Sequence, residues 1–180
     1  MLTSADAVLV VVDVQGKLAQ LMQDREALFA GLSKLLRGAR ALGLPVIWVE
    51  QNPAGLGPTV PEVAAEMPPG LAPIPKRSFS CCGELRFTAA LTACARRQVL
   101  LCGIESHVCI YQTARDLAAA GYEVYVVADA VSSRTALNRE MGLDCSQKAG
   151  ARATTVEMGL FEMLGTAEGE AFKRVVGIVR

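Results

Sequence analysis

Short apolar runs alternate along this chain with longer segments whose apolar residues recur at helical spacing. The short runs are rich in β-branched residues and have the length of buried strands, at Ala7–Val12, 45–50, 98–102 and 123–128. Residues 17–42 carry leucines at mostly helical spacing and are followed by Gly43 and Pro45, which mark a helix end. The same pattern predicts further helices at 83–95, 108–120, 135–150, 158–164 and 168–180, and short extended segments at 72–75 and 153–156.

This alternation is typical of a parallel sheet that is covered by helices on both faces. Right-handed crossovers then restrict the topology to doubly wound folds. No internal repeat or linker divides the sequence, so we expect a single domain over residues 1–180. Residues 52–75 are rich in proline and glycine and lack clear periodicity, which is typical of a functional loop or a lid.

The composition excludes several classes of partner. Lysine plus arginine and aspartate plus glutamate number 18 each, so the net charge is zero and no basic run favours nucleic acid or an anionic membrane. The N-terminal residues do not resemble a signal peptide and no segment is apolar enough for a transmembrane helix, so we expect a cytoplasmic protein. The mean hydropathy of +0.33 is high, and we expect the surplus apolar surface to form a homo-oligomer.

Polar residues stand where the predicted strands end. Asp13 follows the first strand, Glu50 ends the second, Lys76 follows the short extended segment, and residues 103–109 link the fourth strand to its helix. Ligand sites in doubly wound sheets lie beyond the carboxyl ends of the strands, where the strand order reverses. If the order is 3-2-1-4-5-6, Asp13 and Cys109 face each other across that crevice.

These residues could together perform acyl transfer. Cys109 is predicted in the first turn of a helix, where free backbone N–H groups and a nearby Lys76 would lower the pKa of the thiol. Asp13 could accept the thiol proton, and amides of the same turn could hold an oxyanion. Each residue taken alone has a commoner structural role: a core cysteine, a capping aspartate or a solvated surface lysine.

The remaining cysteines allow a different interpretation. Six cysteines are present and none forms a C-x-x-C pair, so reduced thiols are expected. We interpret Cys94 and Cys102 as core residues. A thiol-sensing role is suggested by the adjacent Cys81 and Cys82, although no resolving partner for Cys109 is evident from the sequence.

Four segments together resemble the isochorismatase-like cysteine hydrolases, in particular the isochorismatase-domain-containing subgroup. They are V-V-D-V-Q (residues 11–15), P-K-R-S-F-S (75–80), L-C-G-I-E-S-H-V-C-I-Y-Q-T-A-R-D-L (101–117) and G-Y-E-V-Y-V-V-A-D-A-V-S-S-R (121–134). The resemblance covers nearly the whole chain. It implies a Rossmann-like, three-layer α/β/α fold with the strand order 3-2-1-4-5-6.

The resemblance also implies a set of functional residues. The family's catalytic triad of aspartate, lysine and cysteine maps onto Asp13, Lys76 and Cys109. A cis peptide bond is implied between Ile104 and Glu105, and the family's oxyanion hole maps onto the backbone amides of Glu105 and Cys109. We interpret Gln15, Glu50, Gln51, Phe79 and His107 as residues that contact the substrate.

Nicotinamidases of this family bind a metal through an aspartate and two or more histidines after the second strand. Here that region reads E-Q-N-P-A-G-L-G-P-T-V (residues 50–60), and the chain's single histidine is His107. We therefore expect no metal and no cofactor. True isochorismatases cleave a vinyl ether without using the cysteine nucleophile. The presence of Cys109 therefore indicates hydrolysis of a C–N bond in a small amide, carbamoyl or ureido compound, through a thioester-type intermediate. The alternative is a non-catalytic binding or scaffold protein with the same fold.

Overall fold

Six parallel strands form the sheet, in the order β3-β2-β1-β4-β5-β6, and this confirms the predicted fold class and strand order. The structure is a computed structural model that describes all residues from 1 to 180. The strands are β1 (Ala7–Val12), β2 (Val46–Gln51), β3 (Ile74–Lys76), β4 (Gln98–Ile104), β5 (Glu123–Ser132) and β6 (Arg152–Thr154).

Helices cover both faces of the sheet. They are α1 (Gly16–Gln20), α2 (Arg25–Ala41), α3 (Pro53–Leu56), α4 (Pro61–Ala64), α5 (Leu85–Cys94), α6 (Tyr111–Ala119), α7 (Ala136–Lys148), α8 (Val156–Leu164) and α9 (Gly169–Val179). None of these helices combines the length and the apolar character that crossing a bilayer requires.

The central strand β1 divides the core between the two faces. All six of its residues are buried, as expected for a continuous apolar run inside a parallel sheet. Because side chains alternate along a strand, Leu9 and Val11 pack with α2, α4, α8 and α9 on one face. Val10 and Val12 pack with α5 and α6 on the other face. Because β1 is packed on both faces, the position of Asp13, which directly follows it, is fixed at the edge of the sheet.

Two of the predicted helices differ clearly from the sequence-based expectation. The predicted helix over residues 17–42 is two helices, α1 and α2, because Asp24 adopts a left-handed backbone conformation with φ of 48° immediately before α2. Leucine spacing alone does not reveal such a break. The predicted helix over 108–120 begins as α6 only at Tyr111, and a single wide π-helical turn, Ser106–Ile110, precedes it. Such turns are frequent at functional sites.

A glycine lets the strands β1 and β4 approach each other at their carboxyl ends. Gly103 has φ of 116°, and a Cβ atom there would lie 2.0 Å from the carbonyl oxygen of Val12. A side chain at this position would therefore push the two strands apart. The close approach places the residue after β1 and the turn after β4 at one edge of the sheet.

We predict a large stability difference between two neighbouring residues of α5. Phe87 is fully buried against the sheet, whereas the side chain of Leu85 is 83% exposed. Phe87→Ala should lower the free energy of unfolding by about 3–5 kcal/mol, because it leaves a cavity in the core. Leu85→Ala is the matched control and should change it by less than about 0.5 kcal/mol. Urea denaturation measures both variants, and equal losses would contradict this packing of α5.

Candidate active site

Asp13, Lys76 and Cys109 come together at the carboxyl edge of the sheet, although they are far apart in the sequence. Asp13 directly follows β1, Lys76 ends β3, and Cys109 lies in the turn after β4. The Lys76 Nζ atom lies 2.7 Å from Asp13 Oδ2 and 3.7 Å from Cys109 Sγ. The ammonium therefore bridges the carboxylate and the sulfur.

The Lys76 ammonium is enclosed by acceptors. Besides Asp13 and Cys109, it donates to Gln51 Oε1 at 2.6 Å and to the carbonyl oxygens of Ser78 at 3.1 Å and Phe79 at 3.0 Å. The side chains of Lys76 and Asp13 are 0% and 3% exposed. An ammonium can be buried only if such partners replace its hydration. The segment that follows β3 thus folds back over its own lysine.

Burial dominates the electrostatics of Asp13. Desolvation raises the pKa of its carboxyl above the ordinary value, and the charge of Lys76 opposes this rise. Its Oδ1 atom is buried and has no conventional hydrogen-bond partner. The Cys109 thiol lies close enough for the two groups to influence each other's pKa. The Asp13 carboxyl therefore lies within interaction range of the Cys109 thiol.

The expectation of a lowered thiol pKa at Cys109 is wrong in this structure. Burial raises the pKa of this thiol, the negative charge of Asp13 raises it further, and Lys76 opposes both effects only in part. A helix terminus and Lys76 would stabilise a thiolate, but the desolvation of Cys109 acts in the opposite direction and is the largest effect. The shift therefore disfavours the thiolate in the resting site.

The turn that carries Cys109 is held from both ends. The Ile104–Glu105 peptide bond is cis. The carbonyl oxygen of Glu105 accepts hydrogen bonds from the amides of Val108 and Ile110, at 3.1 and 3.2 Å. The Glu105 carboxylate turns away to Arg134, whose backbone N and Nε donate to Oε1 at 3.2 and 3.1 Å. None of the hydrogen bonds that tie this turn to its neighbours uses the Glu105 amide.

Two of the expected substrate contacts are occupied inside the protein. The fully buried Gln15 donates from Nε2 to the carbonyl oxygens of Gln51 and Gly57, and its Oε1 accepts from the Gln51 amide. Glu50 Oε1 accepts from both the amide and the hydroxyl of Thr59, at 2.7 Å each. Both side chains lie at the predicted edge and anchor the loop 52–60; their assignment as substrate contacts stays a prediction.

Of the other three expected contacts, two touch Lys76 and the third lies in the turn that carries Cys109. Gln51 contacts Lys76, and Phe79, with a side chain 56% exposed, supplies a carbonyl oxygen to the same ammonium. His107 Nδ1 lies 3.0 Å from Ser133 Oγ, and the ring is half-buried. Sequence reasoning missed the carbonyl contacts of Ser78 and Phe79, because backbone acceptors leave no signal in residue type.

The residues after β2 do not fit the metal site of the nicotinamidases. Glu50 is bonded to Thr59, Gln51 to Lys76, and His107 lies in the turn before α6. No group of three or more histidine, cysteine, aspartate or glutamate side chains is arranged to hold a metal ion.

All six cysteines are free thiols, and burial raises the pKa of Cys81 to about 12.

Cavity size alone does not identify the site. A cavity of about 410 Å³ lies between α2 and the end of β5, away from the triad. A smaller cavity, of about 300 Å³, adjoins Lys76 and is lined by residues of two segments, 52–54 and 75–77, together with Glu84 and Arg86. Of these two cavities, only the smaller one is in contact with a residue of the triad.

Comparisons with known proteins bear on the family and on the fold. The sequence profile of the isochorismatase domain family matches residues 7–158. Isochorismatase domain-containing protein 2 from Danio rerio is 38% identical over 174 residues, which cover 97% of this chain and 87% of the relative.

Two solved structures have closely similar folds. A structure described as the MAR1 ribonuclease from Caenorhabditis elegans superposes with a TM-score of 0.92, at 33% identity, over 98% of this chain and 91% of its own. An octameric hydrolase of unknown specificity from Escherichia coli gives the same TM-score, 0.92, at 24% identity, over 98% and 88% of the two chains.

We predict that the Asp13–Lys76 pair is strongly coupled in the folding equilibrium. Lys76→Met should lower the free energy of unfolding by about 3–5 kcal/mol, because it leaves the Asp13 charge buried without its partner. Adding Asp13→Asn should recover a large part of this loss, because the orphaned charge is removed. Urea denaturation of both single variants and the double variant measures the coupling, and additive losses would show that the two groups do not interact.

We also predict a high pH midpoint for Cys109 modification. Because burial and Asp13 raise the pKa of its thiol, alkylation by iodoacetamide should rise only above about pH 8.5, the ordinary thiol value. Peptide mapping by mass spectrometry follows Cys109, with a Cys109→Ser sample as the blank. A midpoint well below pH 8.5 would contradict the raised pKa of the Cys109 thiol. It would show that the sulfur is a thiolate in the resting protein.

Proposed function

The chain belongs to the isochorismatase family, and from that premise we propose that it is a metal-independent cysteine hydrolase of small molecules. The bond cleaved is the C–N bond of an amide, carbamoyl or ureido group, and Cys109 is the nucleophile. One observation carries the proposal: the buried Lys76 ammonium contacts both Asp13 Oδ2 and Cys109 Sγ. A nucleophile, a base and a cation in mutual contact are the minimum machinery for acyl transfer.

The first half-reaction forms a thioester. The Asp13 carboxylate takes the proton of the Cys109 thiol while the sulfur attacks the carbonyl carbon of the substrate. The resulting oxyanion is held by the backbone amides of Glu105 and Cys109. When the tetrahedral adduct collapses, the C–N bond breaks and Asp13 gives its proton to the leaving nitrogen. The amine or ammonia departs, and the acyl group remains on the sulfur.

The second half-reaction returns the enzyme to its starting state. A water molecule attacks the thioester carbonyl and Asp13 accepts a proton from it. Collapse of this second adduct breaks the C–S bond, releases the acid, and transfers the proton from Asp13 back to the sulfur. The raised pKa of the Asp13 carboxyl suits a group that must both accept and donate a proton. Lys76 stabilises the sulfur whenever it is anionic.

A second candidate comes from the name of one structural relative, a ribonuclease. The chain's net charge is zero, and the sulfur of Cys109 is almost fully buried. A small neutral carbonyl compound fits such a site better than a polyanionic strand, whose binding depends on phosphate contacts with basic residues. A non-catalytic scaffold is a further alternative, but it gives no reason for two buried charges beside a thiol.

The test is a panel of small amides, carbamoyl compounds and ureido compounds, with released ammonia or amine as the readout and labelled RNA as a separate arm. Cys109→Ser should lower kcat/KM about a thousandfold or more, whereas Cys145→Ser, outside the site, should leave it unchanged. Because Asp13 must be ionised to act as a base, activity should fall as the pH drops through its raised pKa. Intact-mass detection of an acyl adduct checks the intermediate.

Turnover that survives Cys109→Ser would eliminate the covalent mechanism. Cleavage of RNA alone, abolished by the same substitution, would replace the proposed substrate class with RNA.

The expected homo-oligomer stays a prediction, supported by the exposed apolar side chains of Leu137 and Met141 on α7. The expected cytoplasmic location also stays a prediction.

A further inference from the structure

We infer that Gln51 is a positioning residue that holds the Lys76 ammonium between Asp13 and Cys109. The inference rests on the proposed function, since it concerns how that machinery is held in place. It assigns to Gln51 a role through Lys76, in place of the direct substrate contact expected from the sequence. The distance from Lys76 Nζ to Gln51 Oε1, 2.6 Å, is the shortest of the five contacts around the ammonium.

The orientation of the Gln51 amide is fixed at both of its ends. Its Nε2 atom donates to the carbonyl oxygen of Arg77 at 2.9 Å, which leaves Oε1 to face the ammonium. A flipped amide would place two N–H donors against an ammonium and an oxygen against a carbonyl oxygen, so both contacts would be repulsive. The hydrogen-bond network therefore selects the acceptor orientation.

Strand register places the two side chains together. Gln51 and Lys76 are directly paired residues of the parallel strands β2 and β3. The backbone of Gln51 is further clamped by Gln15, whose side chain accepts from the Gln51 amide at 2.7 Å and donates to the Gln51 carbonyl oxygen at 3.1 Å. Gln15 thus anchors the backbone of Gln51, and Gln51 anchors the head of Lys76. This chain of contacts joins three neighbouring strands.

The chemistry explains why a neutral acceptor suits this place. Lysine has a long flexible stem, and Asp13 is its only charged partner. Without a second side-chain acceptor the ammonium would settle toward Asp13 and leave the sulfur, whose thiolate it must stabilise. A carboxylate at position 51 would still offer an acceptor oxygen to the ammonium, but it would lose the bond to the Arg77 carbonyl oxygen and add a second negative charge near Cys109. An amide oxygen positions the cation without opposing the thiolate.

The first measurement reports on Lys76 without requiring any reaction of Cys109. In protein labelled with ¹⁵N-lysine, the buried and hydrogen-bonded Lys76 ammonium should give a slowly exchanging signal, assigned by its loss in Lys76→Arg. Gln51→Met, which removes the acceptor at similar volume, should broaden the signal or abolish it. Gln51→Glu, which keeps an acceptor oxygen, should retain it. Gln147→Met, on the exposed side of α7, is the matched control.

The second measurement is the pH profile of Cys109 alkylation in the same variants. Gln51→Met should slow alkylation about tenfold, in line with the cost of small displacements in catalytic geometry, and should move its midpoint to higher pH. Gln51→Glu should also move the midpoint upward, because of its added charge, while keeping the Lys76 signal. A purely structural role would lower Tm without moving the midpoint. If Gln51→Met does not fold, Gln51→Asn, which is too short to reach Lys76, serves in its place.

The outcomes separate this inference from the proposed function. An unchanged Lys76 signal and an unchanged alkylation midpoint in Gln51→Met overturn the positioning role, whatever the wild type hydrolyses. A wild type with no Cys109-dependent hydrolysis overturns the proposed function, but the lysine signal still decides whether Gln51 holds the ammonium. Loss of the signal in Gln51→Met together with its retention in Gln51→Glu supports the inference.

Discussion

The buried ion pair between Lys76 and Asp13 is the interaction on which the rest of this edge depends. Two charges removed from water are costly, and the pair is stable only because further acceptors replace the lost hydration. Those acceptors are Gln51 and the carbonyl oxygens of Ser78 and Phe79. The segment after β3 must therefore fold back, and the loop after β2 must be held in register, before the pair can form.

Strand order explains which residues can meet there. β1 and β3 both flank β2, so the ion pair between their ends passes over the end of β2, where Gln51 lies. β4 adjoins β1 on the other side and brings the turn with Cys109, helped by the close approach at Gly103. Four neighbouring strands thus contribute one functional side chain each. In a doubly wound sheet with another strand order, the lysine would still end β3 and the cysteine would still follow β4. The two side chains would then not both be within reach of Asp13.

The alternation of strands and helices predicted a doubly wound sheet, and the polar residues after the strands predicted a site at its carboxyl edge. The strand order was a further assumption, and the triad of Asp13, Lys76 and Cys109 was implied by the family resemblance. The sequence did not predict the sign of the pKa shift at Cys109, since that depends on how deeply the sulfur is buried, which strand ends alone do not reveal. It placed Glu50 at the correct edge but did not predict its bond to Thr59, because the path of the loop 52–60 leaves no signal in residue type. The break before α2 was also invisible, because apolar spacing continues across Asp24.

The second half of the loop 52–60 is anchored to the same strand ends. Thr59 is bonded to Glu50 and to the indole nitrogen of Trp48, and its neighbour Val60 donates to the Val14 carbonyl oxygen. These contacts join the second half of the loop to the ends of β1 and β2. The same strand ends hold Asp13 and Gln51. Displacing this half of the loop would therefore also disturb two of the acceptors around the Lys76 ammonium.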